Sequence, residues 1–168
     1  GLHLSQIDIL AAMLQNRSPN FAMMFCMAVY PTPVHLMRLS QIDLLRARYP
    51  GVSIGFSTHE DPSDTRPVQI AYAKGAELFE RHVGLEAEGV SLNAYSSSPE
   101  CLDAWLNAFH YAVSVTGGAA RSPSPQEEVD ALTSLKRGVF AARNIKKGEI
   151  LKQADVQFCI PWQEGGMN

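Results

Sequence analysis

Val52-Ser53-Ile54-Gly55-Phe56-Ser57-Thr58-His59-Glu60-Asp61 decides the fold. It is a short apolar run, entered through the turn pair Pro50-Gly51, and it ends in polar residues. A short, largely apolar run of this length between turn signals suits a buried strand of a parallel sheet. Two similar runs flank it, Phe21 to Cys26 before and Ala76 to His82 after, the latter entered through Lys74-Gly75. Helical patterns separate them, over 39 to 49 and from Pro67 to Lys74, and a longer one runs from Pro99 to about Val115. Strand then helix, repeated at this period, predicts β/α units on a parallel sheet.

Upstream, Leu4-Ser5-Gln6-Ile7-Asp8-Ile9-Leu10 returns as Leu39-Ser40-Gln41-Ile42-Asp43-Leu44-Leu45. Each copy is read as an amphipathic helix with Ser at its N-cap. Downstream, Gly117 to Pro125 has linker composition. A short helix is expected near Gln126 to Leu135, then a strand, a Lys-Gly turn and a second strand within Arg137 to Leu151. The tail from Pro161 is expected to be loose. The expected division is residues 1–116 as β/α units, 117–135 as linker with a short helix, and 136–168 as a small β-rich part.

The chain has 168 residues, 46% apolar and 18% charged, with a formal charge of -3. That is globular composition, and its balance excludes nucleic-acid binding through bulk positive charge. The longest apolar run, Phe21 to Tyr30, is well short of the roughly 20 residues that span a bilayer. No signal-peptide pattern opens the chain. Cys26, Cys101 and Cys159 lie far apart and form no C-x-x-C pair, which suits reduced thiols in a cytoplasmic protein.

Polar groups gather where the strands end. Ser57, Thr58, His59, Glu60 and Asp61 close the second strand, and Glu80, Arg81 and His82 the third. Parallel α/β proteins build ligand sites at that edge, because diverging loops there are held by rigid strands. Two neutral imidazoles on neighbouring strands, with water or substrate oxygens, make an open divalent-metal site. Their spacing is not a metal motif in itself, and structural packing of both rings is the competing reading. His110 is read as surface or packing, and His3 and His35 as structural.

Phe25-Cys26-Met27-Ala28-Val29-Tyr30-Pro31-Thr32-Pro33, Ile54-Gly55-Phe56-Ser57-Thr58-His59, Glu80-Arg81-His82-Val83 and the run from Arg137 to Leu151 occur in this order. Together they resemble the N-acetylneuraminate (sialic acid) synthase family, including its spore-coat polysaccharide branch. The resemblance implies an α/β fold: the C-terminal part of a TIM (β/α)₈ barrel, then the beginning of a small antifreeze-like (SAF) domain. It implies an enzyme that condenses phosphoenolpyruvate with an N-acetylated hexosamine, giving a nonulosonic acid and phosphate, with Mn²⁺ or Mg²⁺ as cofactor. His59 and His82 fall on the family's metal-ligand positions. Ser57 falls on the serine that contacts phosphoenolpyruvate, and Glu80 on the glutamate near the metal and reacting water. Tyr30 and Asn93 match positions in substrate-lining loops, with Tyr30 to Pro33 read chiefly as shaping its loop. A homodimer is implied, with no nucleic-acid or membrane partner.

Departures from the family pattern bear on the acceptor. Phe25 stands where a His is usual, and Thr58 where an Asp is usual. Leu92 replaces the Asp that binds the sugar. Ile160-Pro161-Trp162 lacks the Arg of an Arg-Pro-Gly motif. An altered substrate, a binding-only relative and another phosphoenolpyruvate-dependent aldol-type synthase are the competing functions. Three candidate barrel strands would leave a core unclosed, since a barrel has eight strands in about 250 residues. The preceding β/α units are therefore expected to lie upstream of this sequence.

Overall fold

The computed structural model describes residues 1–18 and 20–167. It divides into two compact units, Gly1–Gly117 and Gly118–Asn168.

In the first unit α1 (Leu4–Gln15) leads into β1 (Ala22–Cys26), α2 (Ser40–Arg48), β2 (Ser53–Thr58), α3 (Arg66–Ala73), β3 (Leu78–Arg81) and α4 (Pro99–Thr116). The strands form one parallel sheet in the order β1-β2-β3. β2 is central, and every residue from Ile54 to Glu60 is buried. Burial on both faces suits its small and apolar residues, Ile54, Gly55 and Phe56, and leaves the polar groups to the strand's end. Ile42 and Leu45 of α2, Ile54 and Phe56 of β2, and Ala71 of α3 share one core. Phe25 stacks on Phe56 at 6.3 Å. Trp105 and Phe109 of α4 meet Phe79 of β3 edge-on at 5.8 Å and 5.3 Å.

Pro67 and Pro99 stand in the first turns of α3 and α4, where a missing N–H costs nothing and the fixed φ suits a helix. The Ser98 hydroxyl caps α4 by accepting from the Cys101 N–H, and the helix stops at Gly117, whose φ of 63° favours glycine. The expected serine caps of α1 and α2 are not formed. Ser5 lies inside α1, whose first turn is tied instead by the His3 N–H donating to the Gln6 side chain. Ser40 is already helical in α2, because the short 3₁₀ turn Val34–Leu36 leads the backbone in through Arg38 and Leu39. The two similar helices are joined by Asp8, which accepts from Arg48 and from the Tyr49 hydroxyl.

β1 and β3 are the sheet edges among the described residues. Beside β1 an open apolar groove of about 540 Å³ is lined by Leu4, Leu10 and Leu14 of α1 with Met23 and Met24. No described helix is long and apolar enough to cross a membrane.

The second unit holds α5 (Gln126–Leu135) and an antiparallel pair, β4 (Gly138–Ala141) and β5 (Val156–Cys159). The partner of β4 is thus not the apolar stretch at Ile150-Leu151, as expected, but a strand further on. Between them Arg143 bridges the carboxylates of Glu149 and Asp155, each at 2.8 Å. Those carboxylates also accept the Lys146 and Lys152 N–H groups. Satisfied this way, the loop needs no ladder, and Ile150 is left 86% exposed. The tail is not loose. The Trp162 N–H donates to the Lys136 carbonyl, and the Val139 N–H to the Met167 carbonyl.

Candidate active site at the C-terminal edge of the sheet

Side chains alternate between the two faces of a strand, and the parallel register stacks them into rows. Cys26, Ser57 and Glu80 are lateral partners in one row on one face. One step further along that face lie His59, just past β2, and His82, just past β3. Their rings are 5.1 Å apart between centroids and tilted by 47°. The structure therefore brings Ser57, His59, Glu80 and His82 to one face of one edge. Ser57 and His59 are buried, and Glu80 and His82 exposed.

Two loops wall the pair. The loop after β1 places the Tyr30 ring edge-on to His59 at 4.5 Å. That loop is fastened by Thr32, whose N–H donates to the His59 carbonyl and whose hydroxyl donates to the Val29 carbonyl, both at 2.7 Å. The loop after β3 contributes Tyr95, which lies 5.0 Å from His82, 5.9 Å from His59 and 5.1 Å from Tyr30. Asn93 is exposed on this loop, where its side-chain oxygen accepts the Tyr95 N–H at 3.2 Å. The Ser97 N–H then donates to the His82 carbonyl, closing the loop against the strand end. His3, His35 and His110 are all exposed.

Tyr95 was not legible as a site residue, because its loop has no periodicity and its neighbours are distant in sequence. The same holds for the pairing of Glu60 with Arg81, on the opposite face. Arg81 is the lateral partner of Thr58, turned away from the histidines. It forms a buried ion pair with Glu60, side chains 4% and 1% exposed, and donates to the Ser97 hydroxyl.

Burial holds the His59 imidazole below its ordinary pKa, and the nearby His82 adds to the effect; Glu80 and a hydrogen bond to Met27 pull the other way. The neutral ring keeps a lone pair, as a metal ligand requires. The Cys26 Sγ lies 3.8 Å from its Nδ1. Burial pushes the Glu60 carboxyl upward, against the pull of Arg81. Among the described residues no group of three or more His, Cys, Asp or Glu side chains is placed to hold a metal. The donors present fit an open site of two neutral imidazoles, with remaining positions left to water or substrate oxygens.

Parallel β/α units with a polar row and paired imidazoles at the C-terminal strand ends define the class: a mixed α/β protein with a candidate site at that edge of its sheet. The NeuB family profile matches residues 3–121, and the chain belongs to the NeuB family. Spore coat polysaccharide biosynthesis protein E, as assigned in Chromobacterium violaceum, has a crystal structure that matches with a TM-score of 0.87 and 39% identity, covering 99% of this chain and 50% of that one. N-acetylneuraminate-9-phosphate synthase of Drosophila melanogaster is 28% identical, over 94% of this chain and 48% of that protein. Pseudaminic acid synthase of Campylobacter jejuni is 27% identical, over 88% of this chain and 42% of that protein. The chain thus spans about half the length of the relatives it matches.

Proposed function

We propose that the protein is a synthase of the sialic acid type, which condenses phosphoenolpyruvate with an N-acetylated hexosamine to give a nonulosonic acid and phosphate in surface polysaccharide biosynthesis. The convergence of His59 and His82 at 5.1 Å, one row beyond Ser57 and Glu80, is the observation that carries this reading. His59 and His82 would hold Mn²⁺ or Mg²⁺, which when bound supplies Lewis-acid polarisation of the acceptor carbonyl.

In the reaction a C–C bond forms between the enol carbon and the aldehyde carbon. The aldehyde oxygen takes up a proton and becomes a hydroxyl, water adds to the carbon that carries the phosphate oxygen, and the C–O bond to phosphate breaks to leave a ketone. Ser57 hydrogen-bonds phosphoenolpyruvate from the floor of the site. Glu80, in the same row and exposed, takes a proton from the attacking water. Tyr30 and Tyr95 wall the imidazoles on two sides, and Asn93 shapes the loop that carries Tyr95 while facing incoming substrate. The acting species is a cytoplasmic homodimer, and the second unit is the opening of an antifreeze-like domain.

An altered acceptor is favoured by one further observation. Leu92 lies over Gly84, and a Cβ at Gly84 would lie 2.6 Å from the Leu92 Cδ2. Where the family pattern has a sugar-binding Asp, this loop presents a methyl group, which cannot accept a sugar hydroxyl. The test is phosphate release from phosphoenolpyruvate by the full-length protein, across N-acetylhexosamines, with and without Mn²⁺. Release that depends on an acceptor and on Mn²⁺ is expected. Ligand heat in calorimetry without phosphate would identify a binding-only relative.

A further inference from the structure

We propose that the buried Glu60–Arg81 ion pair is a positioning clamp: it joins the residue after His59 to the residue before His82, and so holds the two imidazoles at their 5.1 Å separation. The inference rests on the reading of these imidazoles as a cation-binding pair and adds the device that spaces them.

Four observations carry it. The pair lies on the face opposite the histidines, so its groups are not available to substrate. Arg81 belongs to the last strand pairing, Thr58 to Arg81, and reaches Glu60 two residues past Thr58, beyond the paired part of β2. Arg81 is held from every side. It donates to the Ser97 hydroxyl and, at 3.2 Å, to the Pro62 carbonyl, and its guanidinium sits 5.8 Å from the Trp105 ring centroid. Ser97 in turn binds the His82 carbonyl through its N–H, which ties the same network to the second imidazole.

A buried ion pair is a poor stabiliser, because desolvating both charges offsets much of their attraction. Glu60 Oε2 in addition has no hydrogen-bond partner. Apolar residues of similar volume would serve packing as well or better. What they could not supply is a directional link between two strand ends, and orientation of ligand side chains by their supporting groups is worth about 10- to 100-fold in metal affinity.

The intact protein carrying Glu60→Met with Arg81→Met tests the clamp, with two readouts: Mn²⁺ affinity by calorimetry, and the NMR cross-relaxation between the His59 and His82 rings. The apolar pair keeps the fold. The clamp predicts a tenfold or greater loss of Mn²⁺ affinity and a weakened ring-to-ring signal at a near-unchanged melting temperature. Equal affinity and an unchanged signal in the folded double variant would overturn it. Should the double variant not fold, Glu60→Gln, which keeps the volume of the side chain and removes the ion pair, is read the same way. If the wild-type protein takes up no Mn²⁺, the cation site fails as a reading, and the ring-to-ring signal alone decides the clamp.

Discussion

The Tyr95 ring stands edge-on to His82 at 5.0 Å, so a loop residue roofs an imidazole that a strand end supplies. Tyr95 also reaches His59 and Tyr30, at 5.9 Å and 5.1 Å between ring centroids.

Tyr95→Ala is therefore expected to loosen both histidines. Aromatic pairs are worth about 0.5–1.5 kcal/mol each beyond area burial, and Tyr95 is only half-buried, so a loss of about 1 kcal/mol is expected in urea unfolding. The ring-current shift of the His82 protons should vanish in the same variant. An unshifted His82 spectrum would show that Tyr95 does not pack there in solution.

On the proposed function, His59→Ala and His82→Ala should each sharply reduce Mn²⁺-dependent phosphate release from phosphoenolpyruvate by the full-length protein. A Lewis acid contributes several kcal/mol to stabilising charge in the transition state, which corresponds to a fall of about a thousandfold. EDTA should reproduce the loss reversibly in the wild type. Activity as high in the chelated protein and in either variant as in the untreated wild type would remove the cation from the proposed mechanism.

Acid should release α1 from α2. Hydrogen bonds from Arg48 and Tyr49 lower the Asp8 pKa from 3.8 to about 2. The folded value lies below the unfolded one, so the contribution is complete above pH 3.8 and is lost as pH falls through about 2. The carboxyl carbon shift of Asp8 reads this by NMR titration, and Asp8→Asn should erase the dependence. Because the pair is on the surface, added salt should weaken it.

Gly55 lies between Met24 and Leu78 in the row below Cys26, Ser57 and Glu80. A Cβ there would lie 2.9 Å from the Leu78 Cβ and would collide with the Met24 thioether. Met24 can swing aside, whereas a Cβ fixed to a strand cannot. Gly55→Val should thus cost about 1–3 kcal/mol of stability, measured by denaturant unfolding, as overpacking does. A neutral result would mean that β1 and β3 spread apart freely.

Much of the fold was legible because it is written in local signals. Pro50-Gly51 and Lys74-Gly75 mark the entries to β2 and β3, and the short run Ile54 to Phe56 between turn signals marks a buried strand. His59 and His82 were readable as candidates from their place just after strands. The errors came where one local signal had two outcomes. Ser5 and Ser40 are good caps, but neighbouring backbone made them unnecessary. Ile150-Leu151 looks like strand, but carboxylates from Glu149 and Asp155 satisfied the nearby backbone first.

From its sequence alone this protein has the strand and helix order of its first unit and its polar strand ends, because turn residues and periodicity act between near neighbours, while the order of its motifs carries the family resemblance. Only the tertiary structure decided which polar groups meet. The register put Ser57 beside Glu80 and turned Arg81 to the other face, and chain closure carried Tyr95 to His82 and Glu60 to Arg81. Those contacts join residues far apart along the chain, and burying a charge or stacking a ring depends on the whole fold around it rather than on the residues beside it.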